Sequence, residues 1–248
     1  MLVLSGYTNT YKNMDINCDM GEGIGNEELI MPFISSANIA CGYHAGDVET
    51  MQHVIELCNK YHVAIGAHPS FLDRENFGRT ETWLPVDDLY ELITQQLIIL
   101  SEVASAVDQK LVHVKPHGAL YNMSAKDALV ATIVAKAIKD FDNDLVLFGL
   151  SSSHSVREAK TAGLKTCSEV FADRTYQDDG TLTPRSAPGA LITDANKAVE
   201  QVLQMINEGT VTTLSGKKIP VVAETICIHG DGKQAVEFAK AIYNATQK

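Results

Sequence analysis

Short apolar runs alternate with helix-periodic stretches along nearly the whole chain. Strand-like runs fall at 14–18, 36–41, 62–67, 111–115, 144–149, 164–169 and 220–228. Helical patterns occupy 47–60, 86–106, 126–140, 154–162, 194–207 and 233–246. The stretch 47–60 shows the logic. Asp47 suits an N-cap, since a carboxylate accepts from the unpaired N–H groups of a first turn, and Val48, Met51, Ile55 and Cys58 follow at helical spacing. Asp194 stands in the same relation to Ala195, Ala198, Val199 and Val202. Strands separated by helices imply parallel pairing through crossovers, an α/β architecture. No repeat or linker divides the chain, so 14–248 reads as one domain and 1–13 as an extension outside the fold. The connections at 68–85 and 171–193 are long enough to be functional loops.

Parity within the strands chooses between an open sheet and a barrel. Alternate side chains of a strand face opposite sides. Asp15, Asn17 and Asp19 share one side of the first strand, with Ile16 and Cys18 on the other. His113, Lys115 and His117 oppose Val112 and Val114, and Thr225, Cys227, His229 and Asp231 oppose Ile226 and Ile228. A central strand covered by helices on both faces is apolar on both. One apolar and one polar face instead predict a closed barrel, polar lines inward. Ionisable groups also gather where strands end: Asp19 and Glu22, His44 and Asp47, His68, Lys115 and His117, Glu169 and Asp173, His229 and Asp231. Barrel enzymes carry their chemistry at that rim.

Composition narrows the partners. The 248 residues carry a formal charge of −11 and are 45% hydrophobic, which supports a sizeable core and argues against nucleic acid or an anionic membrane surface. No apolar run has the length of a membrane span, and the first residues lack a signal-peptide pattern. The five cysteines are scattered without a CxxC, which fits a reducing cytoplasm better than a disulfide framework.

Each polar cluster has a plain and a functional reading. Gly21, Gly23 and Gly25 follow a strand but miss the dinucleotide spacing. Asp15 and Asp19 are candidate acid/base groups or metal ligands, with turn capping as the plain alternative. Asp47 is read as a cap, while His44 sits between Gly42 and Gly46, where backbone can approach closely. His68 follows the small Ala64 and Gly66, which leave room inside a barrel. His53 and His62 read as structural. Pro116 rules out a helical pair between His113 and His117. An inward Lys115 needs an anion, whether substrate carboxylate, phosphate or an internal Asp. Asp173, Arg174 and Arg185 lie on a long loop, where arginine suits bidentate binding of carboxylate or phosphate; Arg79 is a weaker parallel. There is no HExxH, GxSxG or P-loop, and GTVTTLSGKK reads as a turn between short strands.

The segments DINCDMGEGIG, ANIACGYHAGD, IGAHPSFLD with NFGR, VKPHGALYN, EVFADRTYQDDGTLTPR and CIHGD, in this order, resemble the LamB/YcsF family. The resemblance implies a distorted seven-stranded (β/α) barrel, similar to the glycoside hydrolase/deacetylase barrels. It also implies ring opening of 5-oxoproline to glutamate, coupled to ATP hydrolysis and carried out with 5-oxoprolinase subunits B and C. The nucleotide site is then expected on those partners. On that reading Asp15, Asp19, His44, His68, His117 and His229 are the catalytic candidates. Lys115, Arg174, Asp173 and Asn17 are the substrate-binding ones. Two alternatives stand beside it. One is a metal-dependent carbohydrate deacetylase or hydrolase holding a divalent cation with Asp15, His44 and His68; the other is a non-catalytic subunit of the complex.

Overall fold

The computed structural model describes residues 14–230 and 234–247. The extension expected at 1–13 and the inward position expected for Asp231 lie outside the described residues. Six strands open the barrel: β1 (Asp15–Met20), β2 (Ser36–Ala40), β3 (Ala64–His68), β4 (His113–Val114), β5 (Val146–Leu150) and β6 (Lys165–Phe171). A small antiparallel hairpin of β7 (Thr210–Thr212) and β8 (Lys218–Pro220) follows, then the last barrel strand, β9 (Thr225–Ile228). The ring closes in the order β1-β2-β3-β4-β5-β6-β9 with every neighbouring pair parallel.

The helices are α1 (Glu27–Ile30), α2 (Val48–Tyr61), α3 (Val86–Ser105), α4 (Gly118–Lys126), α5 (Ala128–Phe141), α6 (His154–Ala162), α7 (Ala195–Glu208) and α8 (Ala235–Thr246). Asp47 caps α2 by accepting from the Thr50 N–H at 2.8 Å. Asp194 caps α7 through Asn196 and Lys197. Met51, Ile55 and Cys58 form the buried stripe of α2, but Val48, in the first turn, is exposed. His62 ends α2 in the left-handed region, at φ 60°. No helix among the described residues is long and apolar enough to cross a membrane.

Three elements differ from the sequence reading, the first being α1, a single turn too short to show a helical period. The run 220–228 divides: Pro220 belongs to the hairpin strand β8, whose ladder Val221 extends by donating to Gly209 O at 2.8 Å. The chain then re-enters the barrel at Thr225. Helix α4 is a further element, missed because it is buried nearly all round and shows no apolar stripe: Ala119, Leu120, Tyr121, Met123, Ser124 and Ala125 are all buried.

Ile16, Cys18, Val114, Ile226 and Ile228 are buried in the apolar layer between sheet and helices. The opposite line of β1, β2, β4 and β9 fills the barrel with polar groups, and Phe148 of β5 stacks on His113. Asn17 Nδ2 donates to Glu169 Oε1 and Thr225 Oγ1 at 2.9 and 2.8 Å. Asn38 Nδ2 donates to Asn17 Oδ1 and Asp19 Oδ1 at 2.7 and 2.9 Å. His113 Nε2 bonds Asn38 Oδ1 at 2.8 Å. Pairing of this kind is what makes a buried polar interior tolerable.

Gly66 is what admits His113. The two residues face each other across β3 and β4, and a Cβ on Gly66 would lie 2.0 Å from His113 Nε2. Gly66→Ala is therefore expected to lower unfolding free energy by about 3 kcal/mol, the upper range for overpacking. Urea denaturation measures it. The double variant with His113→Ala should recover part of the loss, a coupling that a mere propensity effect would not produce.

Candidate active site

The C-terminal ends of the strands deliver the predicted groups to one mouth. Asp19, His68, Lys115, His117, Arg174 and His229 line a single pocket. His44 borders an adjoining hollow, and Glu22 lines both. Asp173 reaches the mouth through His229.

Asp15 is a correction. It begins β1 beside Thr225, at the opposite end of the barrel, and its carboxylate accepts from the hydroxyls of Ser35, Ser36 and Thr225. It can neither reach the mouth residues nor join a cation site with His44 and His68. Asn17 is likewise one layer below the mouth, its amide committed to Glu169, Thr225, Asn38 and Lys115.

Lys115 is corrected in role. Its Nζ lies 2.9 Å from Asp19 Oδ1, 2.9 Å from Glu169 Oε1, 3.1 Å from Asn17 Oδ1 and 3.0 Å from Cys227 Sγ. An ammonium has three N–H donors, so four acceptors leave none for a substrate. Burial opposes its charge, but Asp19, Cys227 and Glu169 more than offset that and hold it well above the usual lysine value. Burial likewise pushes Asp19 up, yet His68 and then Lys115 outweigh it and hold the carboxyl well below its ordinary value. Asp19 is thus an ionised carboxylate, one oxygen anchored by Lys115 and Asn38. Its other oxygen lies 3.3 Å from His68 Nε2.

Three imidazoles meet beside it. His44 and His117 stack at 3.8 Å between ring centroids, and His68 stands edge-on to both. His68 Nδ1 bonds the Lys115 carbonyl at 2.6 Å and His117 Nε2 the Phe77 carbonyl at 2.8 Å. His44 Nδ1 is 2.9 Å from Ser70 Oγ. Burial pushes the His44 pKa down to about 2 and that of His117 well below its usual value. The inner nitrogens face Glu22: His44 Nε2 at 3.1 Å, His117 Nδ1 at 3.4 Å and His68 Nε2 at 3.9 Å from its Oε1. Glu22, His44, His68 and His117 form a group with metal-binding potential.

On the far wall, His229 Nδ1 lies 2.8 Å from Asp173 Oδ1. Burial raises the Asp173 carboxyl, but His229 and then the two arginines bring it below the usual value. The ring of His229 stacks on Phe171. Arg174 is buried, donates through Nη2 to the Thr183 carbonyl, and leaves its Nε without a hydrogen-bond partner. Burial and then Arg185 lower its pKa to about 10, so it stays cationic at neutral pH. Arg79 and Arg185 also line the pocket.

Glu22 and Glu169 were visible as rim carboxylates but not as partners of the imidazoles and of Lys115. Ser70 and Phe77 were not singled out. The string NFGR did carry a signal: Phe77 has φ 58° and Gly78 φ 64°, and a Cβ on Gly78 would lie 2.9 Å from His44 Cβ. This left-handed turn points the Phe77 carbonyl at His117.

Fold and mouth together define a parallel (β/α) barrel with a polar interior and an acid–imidazole rim. The LamB/YcsF family model matches residues 14–248, and the chain belongs to that family. It is 52% identical to the A-subunit of 5-oxoprolinase from Shouchella clausii, over 92% of each chain. It is 48% identical to the corresponding 5-oxoprolinase chain of Geobacillus kaustophilus, over 95% of this chain and 94% of that one. Among solved structures, the lactam utilization protein from Thermus thermophilus superposes with a TM-score of 0.87 at 39% identity, covering 94% of this chain and 95% of that one.

Proposed function

We propose that this chain is the lactam-side subunit of an ATP-dependent 5-oxoprolinase, opening 5-oxoproline to L-glutamate together with subunits B and C. The names of its relatives support the reaction and the existence of partner subunits. The observation that carries the reading is one pocket holding an anchored carboxylate, an Asp–His pair and a buried arginine with an unused donor.

Coupling to ATP follows from the ring. A five-membered lactam recloses with high effective molarity, worth ~7–11 kcal/mol for well-oriented intramolecular reactions. Hydrolysis proceeds once phosphorylation of the amide oxygen makes the ring carbon a better electrophile. Phosphoryl transfer from ATP to that oxygen is assigned to the partner subunits, in keeping with a sequence that has no P-loop. Asp19 is the general base: its outer oxygen takes a proton from the water that attacks the activated carbon. His229, with Nδ1 held by Asp173, delivers a proton to the departing ring nitrogen, and a second water cleaves the resulting acyl phosphate to glutamate and phosphate. Arg174, with Arg79 and Arg185, neutralises the substrate carboxylate and the phosphate. Lys115 holds Asp19 in place.

The test is to purify the chain alone and with subunits B and C, then measure 5-oxoproline-dependent ATP hydrolysis and glutamate release. Both are expected only in the reconstituted complex. A complex that forms but releases no glutamate would refute the assignment.

A further inference from the structure

Four side chains from four successive segments of the rim converge on one point. Glu22 follows β1, His44 follows β2, His68 ends β3 and His117 follows β4. Their ligand atoms all lie within 4.8 Å of one another.

The protons on these rings can be located from their outer partners. A carbonyl only accepts, so His68 Nδ1 and His117 Nε2, bonded to the carbonyls of Lys115 and Phe77, carry hydrogen. Ser70 spends its hydroxyl proton on the Phe71 carbonyl at 3.0 Å, so it accepts from His44 Nδ1. With the outer nitrogens protonated, the inner nitrogens of all three rings turn toward the Glu22 carboxylate. His68 Nε2 and His117 Nδ1 are only 2.9 Å apart. With both outer nitrogens protonated, that contact requires a proton or a metal cation between the two.

We propose that Glu22, His44, His68 and His117 bind a divalent transition-metal cation of the zinc type. Tetrahedral zinc with bonds of about 2.0–2.1 Å sets its ligand atoms roughly 3.3 Å apart. Four of the six pairs here span 2.9 to 3.9 Å, and all six lie within 4.8 Å. Three imidazoles and one carboxylate select zinc, or cobalt in its place, over magnesium and calcium, which take oxygen ligands. The outer bonds to carbonyls and to Ser70 fix the tautomers as second-layer partners do at known metal sites. Gly78 packs against His44 and His117 from outside, with no room for a side chain. Such a cation supplies a Lewis acid beside the pocket that Asp19 and His229 share. The inference rests on side-chain geometry and stands whether or not the ring-opening reading holds.

The test uses the full chain without substrate or partners. After chelator treatment and dialysis, Zn(II) is titrated by calorimetry, and Co(II) is followed by visible absorption. One equivalent is expected, with Co(II) showing the intense bands of a low-symmetry nitrogen-rich site. His117→Ala and Glu22→Gln should weaken binding by at least about 100-fold, and Ser70→Ala by about 10-fold, the range for loss of an outer partner. Circular dichroism confirms that each variant is folded. Failure of the wild-type chain to bind either metal stoichiometrically would overturn the proposal and leave a proton on His68 as the positive centre. So would binding that Ser70→Ala and a folded His117→Ala leave unchanged. Glutamate release is not read in this experiment, so the two readings fail separately.

Discussion

Asp19→Asn, reconstituted with subunits B and C, is expected to turn over 5-oxoproline about 10³-fold more slowly, with KM altered by less than about threefold. The magnitude is that of a lost general base, ~10²–10⁴ in rate. The isosteric amide keeps its oxygen on Lys115 and Asn38, so the pocket should hold its shape. What disappears is the outer oxygen's capacity to take a proton. The measurement is steady-state glutamate release, with Zn(II) content as a control for the neighbouring imidazoles. A kcat within tenfold of wild type removes Asp19 as the base.

Lys115→Met should lower unfolding free energy by about 3–5 kcal/mol, the usual result of stripping one partner from a buried ion pair. Two carboxylates, Asp19 and Glu169, rely on this ammonium inside the barrel. The pH dependence carries the proof. Asp19 has a folded pKa below its unfolded one, so its contribution is present above about pH 4 and is lost as pH falls through the folded value. Removing Lys115 raises that folded value. The deficit of the variant should therefore be full at pH 7 and shrink as the pH drops below about 4, where the carboxylate protonates in both states. Urea midpoints at several pH values give the curve. A deficit independent of pH would mean that lost packing, not unpaired charge, is the cost. The companion Glu169→Gln on the Lys115→Met background should recover part of the stability.

The strand–helix alternation and the inward polar lines were legible because both follow from local periodicity. Parity says which face a side chain takes, but not its height in the barrel. Asp15 and Asp19 share a face, yet four residues at ~3.3 Å each separate them by about 13 Å. Hence one seals the floor and the other serves the mouth. The sequence also implied that Lys115 needs an anion, while only the register of β1, β4 and β6 shows that Asp19 and Glu169 already supply it. The grouping of Glu22 with three histidines depends on loop paths. The Phe77 carbonyl that orients His117 comes from a left-handed non-glycine residue, a conformation that residue type does not announce. Helix α4 escaped for the opposite reason: its burial on nearly every side erases the periodicity by which helices are read.

The polar ladder inside the barrel has an evolutionary corollary. Asp15, Thr225, Asn17, Lys115 and Asp19 form one unbroken run of hydrogen bonds from floor to rim, with Asn38 bridging Asn17 and Asp19. Each member satisfies the next, so exchanging any one for an apolar residue strands its neighbours. Such an interior is inherited whole or rebuilt whole. Moving this mouth onto another scaffold therefore means carrying the entire column beneath it, and not merely the half-dozen side chains that would meet a ligand.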